Sequence, residues 1–184
     1  TARDVDMVLL THLQYGHSGG CTKLDRTGGA VPMFPKAKHF VQRKSWEEAI
    51  KPNERYAESF FADDFMPLQE KGLLELLDGD SEVAPGIFCK VSNGPSNGHQ
   101  IILVECGSER IAFCGDLIPT PYHLPLTYIS ASDEFPNESL EQKRELLDMA
   151  ITDGWLMVFG HGFEHRSGYV EKRNGIVQLV PKDV

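Results

Sequence analysis

The chain has 184 residues, with 18 Lys and Arg against 27 Asp and Glu for a net charge of −9, and 41% of its residues are hydrophobic. That is the size and apolar content of one ordinary globular unit, which excludes a disordered chain. The acidic balance, with no basic run anywhere, argues against nucleic acid or an anionic membrane surface as the partner. No stretch approaches the roughly 18 uninterrupted apolar residues of a membrane span, and Thr1-Ala2-Arg3-Asp4 opens no signal-peptide core.

In chain order, residues 5–11 form a nearly continuous apolar run, the pattern of a strand covered on both faces. A strand beginning so close to Thr1, which is not an initiator Met, reads as a chain truncated or processed at its N-terminus. A Pro/Gly-rich connection leads to a strand at 38–42, and Ser45 with Glu48 reads as a helix capping box. Residues 53–72 read as an amphipathic helix, with Phe60, Phe61, Phe65 and Met66 as core at helical spacing or as the wall of a pocket. Short strands follow at 73–77, 87–91, 100–106 and 110–114, punctuated by Gly, Asn and Ser. After a Pro-rich loop, Ser139 and Gln142 suggest a second capping box, with a helix running to a stop at Asp153-Gly154. A buried strand is expected at 155–159, and Asn174-Gly175 between two alternating runs signals a hairpin within 168–181. Elements of both kinds follow one another without repeat or linker, so residues 1–184 read as a single domain.

The candidate chemistry lies at strand ends, where a rigid scaffold meets an exposed loop. His12 and His17 follow the first strand, Asp116 follows the strand at 110–114, and His161 follows the one at 155–159. His39 reads as a surface strand residue and Lys36-Ala37-Lys38 as a solvated face. Cys21, Cys89, Cys106 and Cys114 form no CxxC pair and read as reduced, partly buried thiols of a cytoplasmic protein.

The stretch Thr11-His12-Leu13-Gln14-Tyr15-Gly16-His17-Ser18-Gly19-Gly20 resembles the signature loop of the metallo-β-lactamase superfamily, Thr-His-x-His-x-Asp-His-x-Gly-Gly. Further marks follow in the family's order: Val83-Ala84-Pro85-Gly86-Ile87, the loop from Ser92 through Pro95 to His99, Phe113-Cys114-Gly115-Asp116-Leu117, and Phe159-Gly160-His161. The resemblance spans almost the whole chain. It implies an αββα sandwich whose first strands precede Thr1, leaving a sheet edge to be covered by other residues or by self-association into a homo-oligomer. It also implies a dinuclear zinc, iron or manganese site that hydrolyses esters, lactones or phosphoesters.

By this resemblance the ligand set is incomplete. Gln14 stands at a histidine position, Gly16 at the aspartate, and Pro95 at the histidine of the second loop, while His12, His17, Asp116 and His161 remain. The first metal position keeps too few donors. The second keeps His17, Asp116 and His161, enough for a single Zn, Fe or Mn ion with open positions. Two readings stay open: a weakened or non-catalytic relative without metal, and a working single-metal hydrolase of lactones, esters or phosphoesters in which Asp116 is catalytic. Tyr15, His123 and His165 fall where the family places substrate-pocket residues, and His99 falls at a position that is usually structural. Gly115 to Thr120 with His123, and Ala131-Ser132-Asp133, are most similar to the lactonase and organophosphate-hydrolase branch. The charge and the lack of an inserted domain set the nucleic-acid-processing branches aside.

Overall fold

The computed structural model describes residues 1–182 of the chain; the last two residues of the expected 1–184 domain lie outside them. The described chain resolves into two compact units, Thr1–Gly79 and the remainder from Asp80.

In the first unit, β1 (Met7–Leu9), β4 (Lys38–Gln42) and β5 (Leu74–Leu77) form a parallel sheet with β4 at its centre. Between β1 and β4 lie the short α1 (Tyr15–Ser18) and the hairpin of β2 (Thr22–Leu24) with β3 (Ala30–Pro32). α2 (Arg43–Ile50) follows β4 directly, and α3 (Met66–Glu70) precedes β5. Leu10, Leu13, Val41, Phe60, Phe65 and Leu68 form the core, with Trp46 edge-on to Phe65 at 5.7 Å.

Four expectations are corrected in this unit. The 53–72 segment is not one helix: it is two 3-10 turns followed by the single turn α3, because Phe60 and Phe61 are extended and Pro67 allows a helix only from its first turn. Ser45 does not cap α2, which begins two residues earlier; its Oγ accepts the backbone N–H of Leu13 at 3.2 Å. His39 is fully buried rather than on the surface, since a central parallel strand is covered on both faces. Its Nδ1 lies 3.1 Å from the Ala37 carbonyl, and burial holds its pKa below the usual imidazole value. Ala37 is buried as well, so only Lys36 and Lys38 of that run face solvent.

In the second unit, β6 (Ser81–Ala84), β7 (Ile87–Val91), β8 (Gln100–Cys106), β9 (Glu109–Phe113), β10 (Leu156–Val158), β11 (Ser167–Arg173) and β12 (Ile176–Pro181) form one seven-stranded sheet in the order β12-β11-β10-β9-β8-β7-β6. Only the β9–β10 pair is parallel, because the connection between them carries α4 (Pro136–Asp153). The β11–β12 hairpin turns on Asn174 and Gly175, both at positive φ (50° and 80°), as a type I′ turn requires. α4 lays Leu146, Leu147 and Ala150 against a core that includes Ala112, Met157 and Val170, and ends on Gly154 in the left-handed conformation.

Ser139 is not the N-cap of α4, which starts at Pro136; the serine is buried inside the first turns and its hydroxyl donates to the Asp133 carboxylate. Among the described residues no helix is long and apolar enough to cross a membrane. All four cysteines are unpaired.

Candidate metal and substrate site

The first unit carries the signature loop. His12 follows the end of β1 and is buried, with Nδ1 3.0 Å from Thr11 Oγ1. α1 then turns the chain so that the His17 ring comes to 4.1 Å, centroid to centroid, from that of His12. Tyr15 points outward, 56% exposed, with its ring 5.4 Å from Phe61. Gly16, between them on α1, has open space where a Cβ would stand.

The second unit brings Asp116 and His161 together. β9 and β10 are parallel neighbours, so the loops leaving their C-terminal ends emerge side by side, and His161 Nε2 lies 3.1 Å from Asp116 Oδ1. The contact is a hydrogen bond as it stands; two donors that share one ion at about 2.0–2.2 Å each also stand about 3 Å apart, so the pair could hold one divalent ion without large movement. The backbone N–H of His161 donates to Pro119 O at 3.0 Å, tying the two loops to each other.

Asp116 is itself held from behind. Its backbone N–H donates to Nε2 of the buried His99 at 3.0 Å, while His99 Nδ1 lies 2.6 Å from Ser92 Oγ. An imidazole nitrogen that accepts a backbone N–H carries no proton, so the ring hydrogen sits on Nδ1 and His99 is neutral. With both nitrogens engaged by protein groups, His99 buttresses the site and offers nothing to a metal. Pro95, on the same loop, supplies only its carbonyl, which accepts the Glu134 N–H at 3.2 Å.

The loop between β9 and α4 carries His123, whose Nδ1 lies 2.8 Å from Thr120 Oγ1. Burial, and to a smaller degree the charge of Lys143, hold its pKa below the ordinary imidazole value. Around this loop a groove of about 460 Å³ is walled by Tyr122, Leu124, Tyr128, Phe163, His165 and Leu179. His165 thus lines the groove; His123 does not, although both of its chain neighbours do. Tyr122 donates its hydroxyl to Glu164 at 3.0 Å, joining the two loops that bound the groove.

Two further groups shape this region, of which Lys143 escaped the motif search and Asp133 was marked only as part of Ala131-Ser132-Asp133. Lys143 is fully buried on α4 and donates to the carbonyls of Pro125 (2.7 Å) and Tyr128 (2.9 Å); burial pulls its pKa down to about 8. Asp133, 8% exposed, is held above the usual carboxyl range mainly by burial. The signal was present: Lys143 lies on the stripe of Ser139, Leu146, Leu147 and Ala150 that α4 buries, where a lysine demands a partner.

A mixed α/β fold with signature histidines after one strand, and a carboxylate and imidazole converging from two parallel strands, defines the class. The chain belongs to the metallo-beta-lactamase superfamily, whose profile matches residues 1–161. Among its relatives, an N-acyl homoserine lactonase of Bacillus cereus is 25% identical over 171 residues, covering 90% of this chain and 59% of that protein. A probable metal-dependent hydrolase from Staphylococcus aureus superposes with a TM-score of 0.84 at 29% identity, over 100% of this chain and 65% of that one. A dizinc quorum-quenching lactonase solved with its product shares the fold at a TM-score of 0.83 and 16% identity, over 100% of this chain and 66% of that one. The chain spans about three fifths of the length of the curated relatives it matches. It is thus a relative of hydrolases, lactonases prominent among them.

Proposed function

We propose that this chain forms part of a lactone or ester hydrolase with a reduced, single-ion metal centre, weaker than its dinuclear relatives. The observation that carries the reading is the 3.1 Å approach of His161 Nε2 to Asp116 Oδ1. In the family's motif order, His17 is the third ligand of the retained position and His12 belongs beside it. Pro95 brings no side-chain donor and Gln14 only a weak neutral oxygen, so the first position keeps too few ligands, while Gly16 costs the retained second position its carboxylate. The ion's identity is one of zinc, iron or manganese, all of which accept imidazole and carboxylate.

When bound, such an ion acidifies water and polarises a carbonyl oxygen. Asp116, its backbone fixed by His99, would hold the ion and orient the attacking water. His161 completes the set from the adjacent strand end. The groove takes the acyl portion of the substrate, His165 meets its polar end, and His123, oriented at Nδ1 by Thr120, keeps Nε2 for a substrate oxygen. Tyr15 supplies a phenol donor. The missing carboxylate at position 16 removes a second anchor for the water, which is why the rate falls. The four unpaired thiols support a reducing, cytoplasmic setting.

The test is metal content per chain of protein purified without added metal or a histidine tag, with thermal melts before and after chelation and lactone opening followed by pH-stat. About one equivalent of metal, a melting point that falls on chelation, and loss of both metal and turnover in His161→Asn are expected. No metal, no shift on adding metals back and no turnover would overturn the reading in favour of a fold retained for binding alone.

A further inference from the structure

We infer that Lys143 is a positioning residue for the groove: its ammonium clamps the turn from Pro125 to Tyr128 onto α4 and so sets the shape of the wall that faces a substrate's apolar group. The inference rests on the proposed function only for what the groove binds; the clamp stands on its own geometry. The turn is closed by the Tyr128 N–H donating to Pro125 O at 2.9 Å, and Lys143 Nζ donates to that same carbonyl at 2.7 Å and to Tyr128 O at 2.9 Å. Both turn residues line the groove, and Leu124 immediately before them lines it too.

One helical turn earlier on α4, Ser139 holds Asp133 at the far end of the same loop. The loop is therefore pinned at two points four residues apart on one helix face. Asp133 attracts the Lys143 ammonium as well, an effect that is smaller than and opposed to that of burial. Nothing in the core needs a cation at this position. A leucine or methionine would fill the helix stripe equally well, and replacing a buried ion by an apolar group of similar volume is often neutral for stability. What an apolar side chain cannot do is hold two carbonyls of a loop. The cost of a buried lysine is explained by the loop it organises.

Lys143→Met separates the two roles. In amide hydrogen exchange of the full chain, the Tyr128 amide is expected to exchange at least about tenfold faster, as loss of charge-assisted hydrogen bonds to the turn implies, while amides of α4, β10 and β11 keep their protection. Lys143→Gln, which retains N–H donors for the carbonyls, is expected to restore protection to within about threefold of the wild type. With long-chain and short-chain N-acyl homoserine lactones as substrates, Lys143→Met is expected to raise KM for the long chain about tenfold and leave kcat and the short-chain KM within about twofold. Unchanged exchange at Tyr128, or faster exchange spread evenly over α4 and the sheet, would overturn the clamp. Turnover of neither lactone by the wild type would instead remove the proposed function, and the exchange comparison would still decide the role of Lys143.

Discussion

The backbone amide of Asp116 donates to Nε2 of His99 at 3.0 Å, and the far side of that imidazole meets Ser92 Oγ at 2.6 Å. A buried ring thus links the loop after β7 to the residue that leads the loop after β9. Replacing His99 by Ala leaves a half-buried N–H and a buried hydroxyl without these contacts and opens a cavity. The expected loss is about 2–4 kcal/mol, read from urea denaturation. Because the Asp116 backbone is then no longer held, affinity for zinc in a competition titration with a chromophoric chelator is expected to fall about tenfold or more.

Gly16 sits on α1 with open space around the position of a Cβ. Gly16→Asp is therefore expected to fold at least as well as the wild type, since a glycine inside a helix is the costlier residue for the backbone. If the signature loop binds metal, the added carboxylate should raise zinc affinity about tenfold in the same titration. An unchanged affinity would show that position 16 does not face the ion.

His39 lies buried in the central strand with its pKa held down by burial. The unfolded chain therefore takes up a proton at this residue as pH falls through about 6.5, whereas the folded chain resists it until lower pH, so stability decreases as the medium is acidified across that window. His39→Asn removes this contribution. Its denaturation midpoint is expected to fall less between pH 7.5 and 5.5 than that of the wild type, with the residual slope reflecting His123, whose shift has the same sign.

Gly94 stands at φ 60°, and a Cβ there would lie 2.9 Å from the Cα of Ser139 and closer still to its hydroxyl. The Gly94 carbonyl accepts the Phe135 N–H at 2.9 Å, so the loop after β7 is seated directly on the start of α4. Gly94→Ala is expected to cost about 2 kcal/mol or more, from backbone strain plus overlap. Gly72→Ala, also at positive φ (65°) but in open space, should cost only about 1 kcal/mol. Thermal melts of the two variants give the comparison.

Much of the second unit was legible in sequence. Strands β7 and β8 fall where short strand-like runs punctuated by Gly, Asn and Ser placed them, and Asn174-Gly175 marked its hairpin because both residues tolerate positive φ. The helix ends were read less well, for one physical reason. Ser45 and Ser139 both match a capping pattern, yet both lie inside their helices and commit their hydroxyls to distant partners, Leu13 N–H and Asp133. A local motif cannot reveal that a tertiary contact has taken its side chain. The same limit hid β6, the β2–β3 hairpin and the burial of His39, which depends on strand order. At the candidate site, the sequence identified Asp116 and His161 through their place after two strands, and only the parallel pairing of those strands explains why they meet. The clamp by Lys143 left no motif; a lysine on the buried stripe of a helix was its one trace.

The unpaired thiols carry a practical consequence. Burial pushes Cys21 and Cys114 up to about 12 and Cys89 up to about 11, which keeps them protonated at neutral pH as well as out of reach of solvent. Cys106, the last residue of β8, is exposed. A maleimide dye offered to the native chain at neutral pH therefore has one thiol to attack. The unmutated protein comes with its own attachment point for a fluorophore, at the opposite end of β8 from the loop that bears His99.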